Sequence, residues 1–146
     1  MGQTGIDFAA TQRCACANIR RTERVITQLY DELLAPSGLS APQFGLLATL
    51  SEVAPITINA LAEKLTMDRT TLTRNLSLLA KQGMVRIEEG EDRRTRVVVV
   101  TSRGDESLAR AWPLWQDAQA RVEGVLGRAR FDALLAELAA VRTSAR

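Results

Sequence analysis

Two short amphipathic segments separated by a tight turn constrain this chain more than any other feature of its sequence. Thr57 is a candidate N-cap for a helix that runs to Leu65, and Asp68 is a candidate N-cap for a second helix that ends before Gly83. The second segment turns its leucines inward at helical spacing, at Leu72, Leu76 and Leu79. Two helices joined by so short a connection have the spacing of a helix-turn-helix.

A polar loop between two strand-like runs follows this pair of helices. Residues 84–89 and 96–101 are rich in β-branched and apolar side chains, and residues 90–95 between them are polar. We therefore predict a two-stranded β-hairpin directly after the second helix. A winged helix consists of three helices followed by such a hairpin, which is called the wing. The first of the three helices here is the one that begins at Ser40, before the two described above.

The flanking segments are predicted to be helical. One long helix is expected over residues 7–34, ended by Pro36 and Gly38, and a capping box at Ser40 begins the next helix. Helical spacing returns over residues 102–125, where Pro113 predicts a kink, and a last helix follows Gly127. The expected fold is mainly α with a small β-hairpin wing, as one domain over residues 1–146.

The flanking helices carry more apolar side chains than a small core can use. These are Phe8, Phe131, Leu134, Leu135 and Leu138. We expect residues 1–36 and 102–146 to be dimerisation helices of a homodimer, and residues 40–101 to be the winged helix-turn-helix lobe.

The composition argues against catalysis. The chain has no histidine, which removes the commonest general base and the commonest metal ligand. It also lacks a nucleophile–base pair, a phosphate-binding glycine loop and a metal-ligand cluster, so we expect no enzyme, no cofactor and no metal. No stretch has the length of a membrane span and no secretory signal is evident, so the expected location is cytoplasmic, away from membranes.

The exposed face of the second helix suits the major groove of DNA. With the leucines inward, its first half presents hydroxyl and guanidinium groups, at Arg69, Thr70, Thr71, Thr73 and Arg74. The wing tip adds Arg93 and Arg94, with Asp92 expected to orient an arginine through a charge-assisted pair. A winged helix used only as a protein-interaction module is the alternative, and a mobility-shift assay on DNA separates the two.

The ordered motifs of LAEKLTMDRTTLTRNLSLLAKQGMVRIEEGEDRRTRVVVVTSRG resemble the MarR family of transcriptional regulators. They are an LA-xx-L helix, an internal TR, a G-M-V strand entry, a D-R-R wing and a closing T-x-x-G. The resemblance implies a homodimeric repressor of a palindromic operator in double-stranded DNA, with Arg94 in the minor groove and Asp92 bracing it. Leu78 departs from the pattern, because relatives often carry a basic residue there.

The resemblance also implies an effector, such as a small aromatic ligand. Candidate pocket residues are Arg20, Arg24, Tyr30, Phe44 and Trp112, with Trp115 as a further aromatic candidate and a ligand carboxylate as the expected partner of the arginines. The alternatives are that the aromatic residues are plain core and the arginines a solvated helix face. Cys16 lies where a peroxide-sensing branch of the family carries its reactive thiol. A redox or metalloid response through Cys16 and Cys14 is therefore a second possibility, and a structural role for both cysteines is the third.

Overall fold

The computed structural model describes residues 5–145. Its α-helices are α1 Ala15–Leu34, α2 Ala41–Val53, α3 Ile58–Leu65, α4 Arg69–Lys81, α5 Ser102–Leu126 and α6 Arg128–Ser144. Its strands are β1 Ile56–Thr57, β2 Val85–Glu89 and β3 Arg96–Val100, and 3₁₀ turns at Phe8–Arg13 and Ala35–Ser37 flank α1. Among these helices, none is both long enough and apolar enough to span a membrane.

The helix starts in the central part of the chain are set by side-chain caps. The amide of Gln43 donates to Ser40 Oγ and the amide of Ser40 donates to Gln43 Oε1, which closes the predicted capping box. Thr57 caps α3 and Asp68 caps α4 in the same way, each by accepting a backbone N–H from three residues ahead. These three predicted caps are confirmed.

The core lies between α2, α3, α4 and the sheet. Its fully buried members include the three leucines predicted to face inward on α4, together with Leu47, Leu50, Leu61 and Val98. Burying these side chains holds α4 by one face only, since the positions between the leucines face solvent. The fold predicted from the sequence, a mainly helical winged helix-turn-helix, is confirmed.

The sheet has three strands instead of the two predicted. It is antiparallel with the order β1-β3-β2, and Ile56 and Thr57 of β1 pair with Val98 and Val97 of β3. A two-residue strand is too short to show any alternation, so only the tertiary pairing reveals it. As a consequence the wing is joined to the residues immediately before α3.

The helix predicted over residues 7–34 is interrupted. The turn Phe8–Arg13 is 3₁₀, Cys14 has an extended backbone with ψ of 116°, and α1 begins only at Ala15. The Asn18 side chain donates to the carbonyls of Gln12 and Cys14, at 2.9 Å each, and so offers the backbone an alternative to continuous helix.

The junction between α4, the sheet and α5 explains the T-x-x-G motif. Thr101 Oγ1 donates to the carbonyl of Gly83 at 2.6 Å and accepts the amide of Gly104 at 3.1 Å. A Cβ on Gly104 would collide with the backbone carbonyl of Met84, so this close approach requires glycine. The motif therefore fixes the end of α4 against the start of α5.

The flanking helices leave an apolar surface, with one correction to the prediction. Phe8, Leu134 and Leu135 are exposed and Leu138 is partly exposed, as an interface would require. Phe131 is instead 8% exposed and belongs to the buried residues of the chain itself. It lies in the first turn of α6, so we assign it to packing within the chain.

Candidate nucleic-acid interface

The solvent face of α4 is a continuous polar strip. Arg69, Thr70, Thr73 and Arg74 are exposed, and with Ser77 they line one shallow surface depression. Their spacing of three and four residues places them on one side of the helix, opposite the buried leucines. Only hydroxyl and guanidinium groups occupy this strip, and it contains no carboxylate among the residues that line it.

Thr71 has a different place from the other predicted contact residues. Its hydroxyl donates to a carboxylate oxygen of Asp68, and its amide donates to the other oxygen at 2.9 Å. These two bonds, the side-chain bond first, hold the pKa of Asp68 below its usual value. The Thr71 hydroxyl thus serves the start of α4, whereas its neighbours present their side chains to solvent.

The wing is a tight loop built around Asp92. The Asp92 carboxylate accepts the amide of Arg94 at 3.0 Å, and its carbonyl accepts both the amide and the hydroxyl of Thr95. A Cβ at Gly90 would overlap the Thr95 hydroxyl, so a larger residue where the loop leaves β2 would force the Thr95 side chain out of its bond to Asp92.

The predicted side-chain pair between Asp92 and an arginine is therefore wrong. Within residues 5–145 Asp92 forms no ion pair, and its carboxylate bonds to the backbone of Arg94 instead. The loop satisfies its own polar groups, and the guanidinium groups of Arg93 and Arg94 stay exposed. Arg96 is held along the sheet by an exposed pair with Glu89 at 3.4 Å.

The wing and α4 meet in one small groove. Arg69 of α4 lines it together with Arg94 and Arg96 of the wing, and the first turn of α3 closes it with Asn59. The sequence places Arg96 with Arg93 and Arg94 among the three wing arginines that can reach DNA, although only the latter two are in the predicted contact set, and it does not predict Asn59. The signal for Arg96 was present in the wing sequence, but Asn59 enters the groove only because β1 pairs with β3 beside the start of α3.

The predicted pocket residues divide into two groups. Tyr30, Phe44 and Trp112 line one cavity of about 520 Å³ between α1, α2 and α5, with Trp115 and Glu52 beside them. Arg20 and Arg24 are exposed on α1 and do not line it. Trp115, a further aromatic candidate from the sequence, does line the cavity, whereas Glu52 was not predicted, because its position on α2 beside the aromatic residues of α5 depends on how the helices pack.

The rings around this cavity are stacked. The ring centroids of Trp112 and Trp115 lie 4.9 Å apart, and those of Phe44 and Trp115 lie 5.8 Å apart, both nearly parallel. The Tyr30 hydroxyl donates to Gln119 Oε1 at 2.7 Å. Burial, and next the charge of Glu123, raises the pKa of Tyr30 above its usual value, so its phenol keeps its proton to a higher pH than a free tyrosine does.

Comparison with known proteins agrees with this arrangement. Residues 37–95 match the sequence model of the MarR family. The structure of the Mycobacterium tuberculosis transcriptional regulator MosR in complex with DNA is similar, with 38% identity, a TM-score of 0.82, and coverage of 92% of this chain and 99% of that one. A mutant MarR of E. coli in complex with operator DNA has 25% identity, a TM-score of 0.83, and coverage of 93% of this chain and 99% of that one.

The chain belongs to the MarR family. The resemblance inferred from its motifs is thus confirmed. A curated relative, the HTH-type transcriptional regulator YwoH of Bacillus subtilis, is 31% identical over 87 residues, which is 60% of this chain. The matched stretch spans 64% of the length of that relative and 57% of the next one. These relatives are regulators, so the expectation that this MarR-family chain is no enzyme is also confirmed.

The two cysteines of this MarR-family chain lie at the interruption before α1. Cys14 and Cys16 are both exposed and carry free thiols. Cys14 occupies the N-cap position of α1 without a side-chain hydrogen bond to the helix, Cys16 lies in the first turn, and neither is part of the core of the chain. In the part of the chain that the structure describes, no three side chains of the metal-binding types form a metal site.

Proposed function

We propose that this chain is a homodimeric transcriptional regulator that binds a palindromic promoter site and acts as a repressor. Residues 40–101 contact the DNA, and residues 1–36 and 102–146 form the dimer. The observation that carries the proposal is the groove in which Arg69 of α4 meets Arg94 and Arg96 of the wing. A DNA-bound relative at 38% identity supports it.

In this proposal α4 enters the major groove. Arg69, Thr70, Thr73 and Arg74 contact bases and phosphates from the exposed strip, and Thr71 acts through the cap of the helix. Arg93 and Arg94 reach the neighbouring minor groove or its phosphates from the wing, while Asp92 keeps the loop in shape. Two such lobes related by a two-fold axis would contact half-sites about one helical turn apart, roughly 34 to 36 Å.

A mobility-shift titration with the DNA upstream of its own gene tests the proposal. The affinity should fall with salt, with a log–log slope of about −0.9 for each phosphate neutralised. A salt-independent affinity, or the absence of a shift, would favour a winged helix that binds proteins instead of DNA. Sedimentation of the same sample, with and without DNA, tests the homodimer.

Release from DNA is assigned to a small aromatic ligand in the cavity between α1, α2 and α5. The support is its volume of about 520 Å³ and its stacked aromatic wall, both typical of small-molecule sites. A solved MarR-fold neighbour from Streptomyces coelicolor is described in complex with its natural ligand. Loss of the mobility shift on adding an aromatic compound is the expected result.

The exposed thiols support a second candidate for the release signal. Cys14 and Cys16 are both open to oxidants or thiophilic metalloids. If they act as the sensor, peroxide or arsenite should abolish the shift of the wild-type protein and leave that of Cys14→Ser/Cys16→Ser unchanged. Equal responses of the two proteins would leave the aromatic cavity as the assigned site.

A further inference from the structure

The aromatic cavity carries negative charge only. Its lining residues include Tyr30, Glu52, Phe44, Trp112 and Trp115. Glu52 is the one charged side chain among its described lining residues, and no lysine or arginine lines it. Glu52 follows Ala48 by one turn on the face of α2 that lines the cavity, and it is exposed at the solvent side. A ligand carboxylate would therefore meet a like charge there and no cation.

The hydrogen bonds around Tyr30 also leave an electron-rich oxygen that can accept, but not donate, a hydrogen bond. Its single O–H is donated to Gln119 Oε1, and the Gln119 amide in turn donates to Glu123 Oε1 at 3.1 Å. The Tyr30 oxygen thus has only lone pairs left to offer to a ligand. Glu123 also acts on Tyr30 electrostatically, which places a second negative charge near this wall.

The stacked rings supply the third element. Trp112 and Trp115 form a nearly parallel pair with Phe44 behind them, and Trp112 is 48% exposed at the edge of the stack. Indole faces attract cations, and they do so more strongly when the cation is partly desolvated. A protonated amine attached to an aromatic body matches the rings, the Tyr30 oxygen and the Glu52 carboxylate together.

We infer that the aromatic cavity takes a cationic aromatic ligand, a lipophilic aromatic amine, in preference to an aromatic acid. The inference rests on the proposed function, which assigns the effector to this cavity. It adds the chemical class of that effector. It also replaces the expectation that Arg20 and Arg24 bind a ligand carboxylate, since both lie outside the cavity wall.

Three probes with the same body and different charge test this inference. They are diphenylpropylamine, diphenylpropanol and diphenylpropanoate. The chain has two tryptophans and both line the cavity, so quenching of tryptophan fluorescence reports binding directly, with calorimetry as the second measurement. We expect the amine to bind about tenfold more tightly than the acid, with the alcohol between them.

Substitutions identify the source of the selectivity. Glu52→Gln should reduce the amine-to-acid ratio several-fold and leave the alcohol unchanged. Glu106→Gln removes an exposed carboxylate of α5 outside the cavity and should leave the ratio at its wild-type value. Because Glu52 and Glu106 are both exposed, neither variant should unfold the protein.

Four results would overturn the inference. They are an acid that binds as tightly as the amine, no binding by any probe, a ratio that Glu52→Gln does not change, and an acid preference that Arg24→Gln removes.

Mobility shifts on the same preparations test the proposed function separately. Absence of DNA binding would refute that function and leave the probe ranking valid, and amine binding without DNA release would refute only the release step.

Discussion

At the scale of single residues, Asp92 shows how the wing keeps its arginines available. A carboxylate in an exposed loop can pair with a neighbouring guanidinium, and such a pair would neutralise the positive charge of the arginine. Here the carboxylate is used by the amide of Arg94, so the loop is rigidified without an ion pair to Arg93 or Arg94. The positive charge of the wing remains directed to solvent and to the groove shared with Arg69.

Replacement of Arg94 by alanine tests this role. We expect Arg94→Ala to lower DNA affinity by about tenfold and to reduce the salt slope by up to about one, because one guanidinium is lost from the contact surface. Fluorescence anisotropy of labelled promoter DNA over a salt series is the measurement. Arg128→Ala removes an exposed arginine of α6 outside the groove and serves as control. Similar losses in the two variants would contradict a specific wing contact.

The cap at Asp68 makes a second prediction at this scale. Its hydrogen bonds to Thr71 lower its pKa in the folded protein, so its ionised form stabilises the fold. That contribution is complete above the unfolded value of 3.8 and is lost as the pH falls through the lower folded value. Asp68→Ala should therefore lower Tm by a few degrees at neutral pH, and the difference from wild type should shrink in acid.

Asp68→Asn is the matched variant for this experiment. Asparagine also accepts the backbone N–H at an N-cap, so most of the neutral-pH Tm should be retained. Its amide does not titrate, so its Tm relative to Asp68→Ala should stay constant with pH. Thermal unfolding followed by circular dichroism between neutral pH and acid gives both curves. A pH-independent gap between wild type and Asp68→Ala would refute the role of the ionised cap.

At the scale of elements, the contact of α5 with the residues that end α4 sets the position of the exposed strip of α4. Thr101 bonds to the carbonyl of Gly83, two residues after the end of α4, and to the amide of Gly104 in the first turn of α5, and the lack of a Cβ on Gly104 lets the two backbones approach. The start of α5 is therefore held directly against the residues that follow α4. The same helix also lines the aromatic cavity, because Trp112 and Trp115 belong to α5.

Two glycines of α5 provide a test of that junction. Gly104→Ala should destabilise the protein by about 1 to 3 kcal/mol, because its Cβ would overlap the carbonyl of Met84 and the side chain of Val100. Gly124→Ala meets no atom within 4 Å and should be neutral or stabilising, by up to about 1 kcal/mol. Urea unfolding of both variants measures the two effects. Equal stabilities would show that the close approach at Gly104 is not needed.

At the scale of the whole molecule, the apolar side chains of the flanking segments exceed the needs of the chain. Phe8 and Val25 are more than half exposed, and Leu135 and Val141 are 49% exposed on α6. Exposed apolar side chains in such number are typical of a subunit interface. We assign them to the homodimer proposed above.

A charge placed in this surface should separate folding from association. Leu135→Glu should dissociate the dimer, because an unpaired carboxylate would be buried between subunits, and should leave the folded monomer intact since Leu135 is already exposed. Ala60→Glu places the same charge at an exposed position of α3, outside the proposed dimerisation segments, as a control. Sedimentation velocity gives the mass and circular dichroism the fold. An unchanged dimer in the first variant would exclude α6 from the interface.

Local patterns determined much of this protein. The leucine spacing of α4, the caps at Ser40, Thr57 and Asp68, and the turn after α4 at Gly83 depend on neighbours within a few residues. For that reason the winged helix and the exposed strip of α4 were correctly predicted from sequence. The wing was also identified, since its strands and polar tip are adjacent in the chain.

Tertiary structure decided the features that join distant segments. The pairing of β1 with β3 brought Asn59 to the groove, and the packing of three helices brought Glu52 to the cavity and left Arg20 and Arg24 outside it. Asp92 found its partner in a backbone amide instead of an arginine side chain. Periodicity predicts which face of a helix is buried, but which side chains meet across helices depends on how the elements pack, and that packing determined the charge of the cavity.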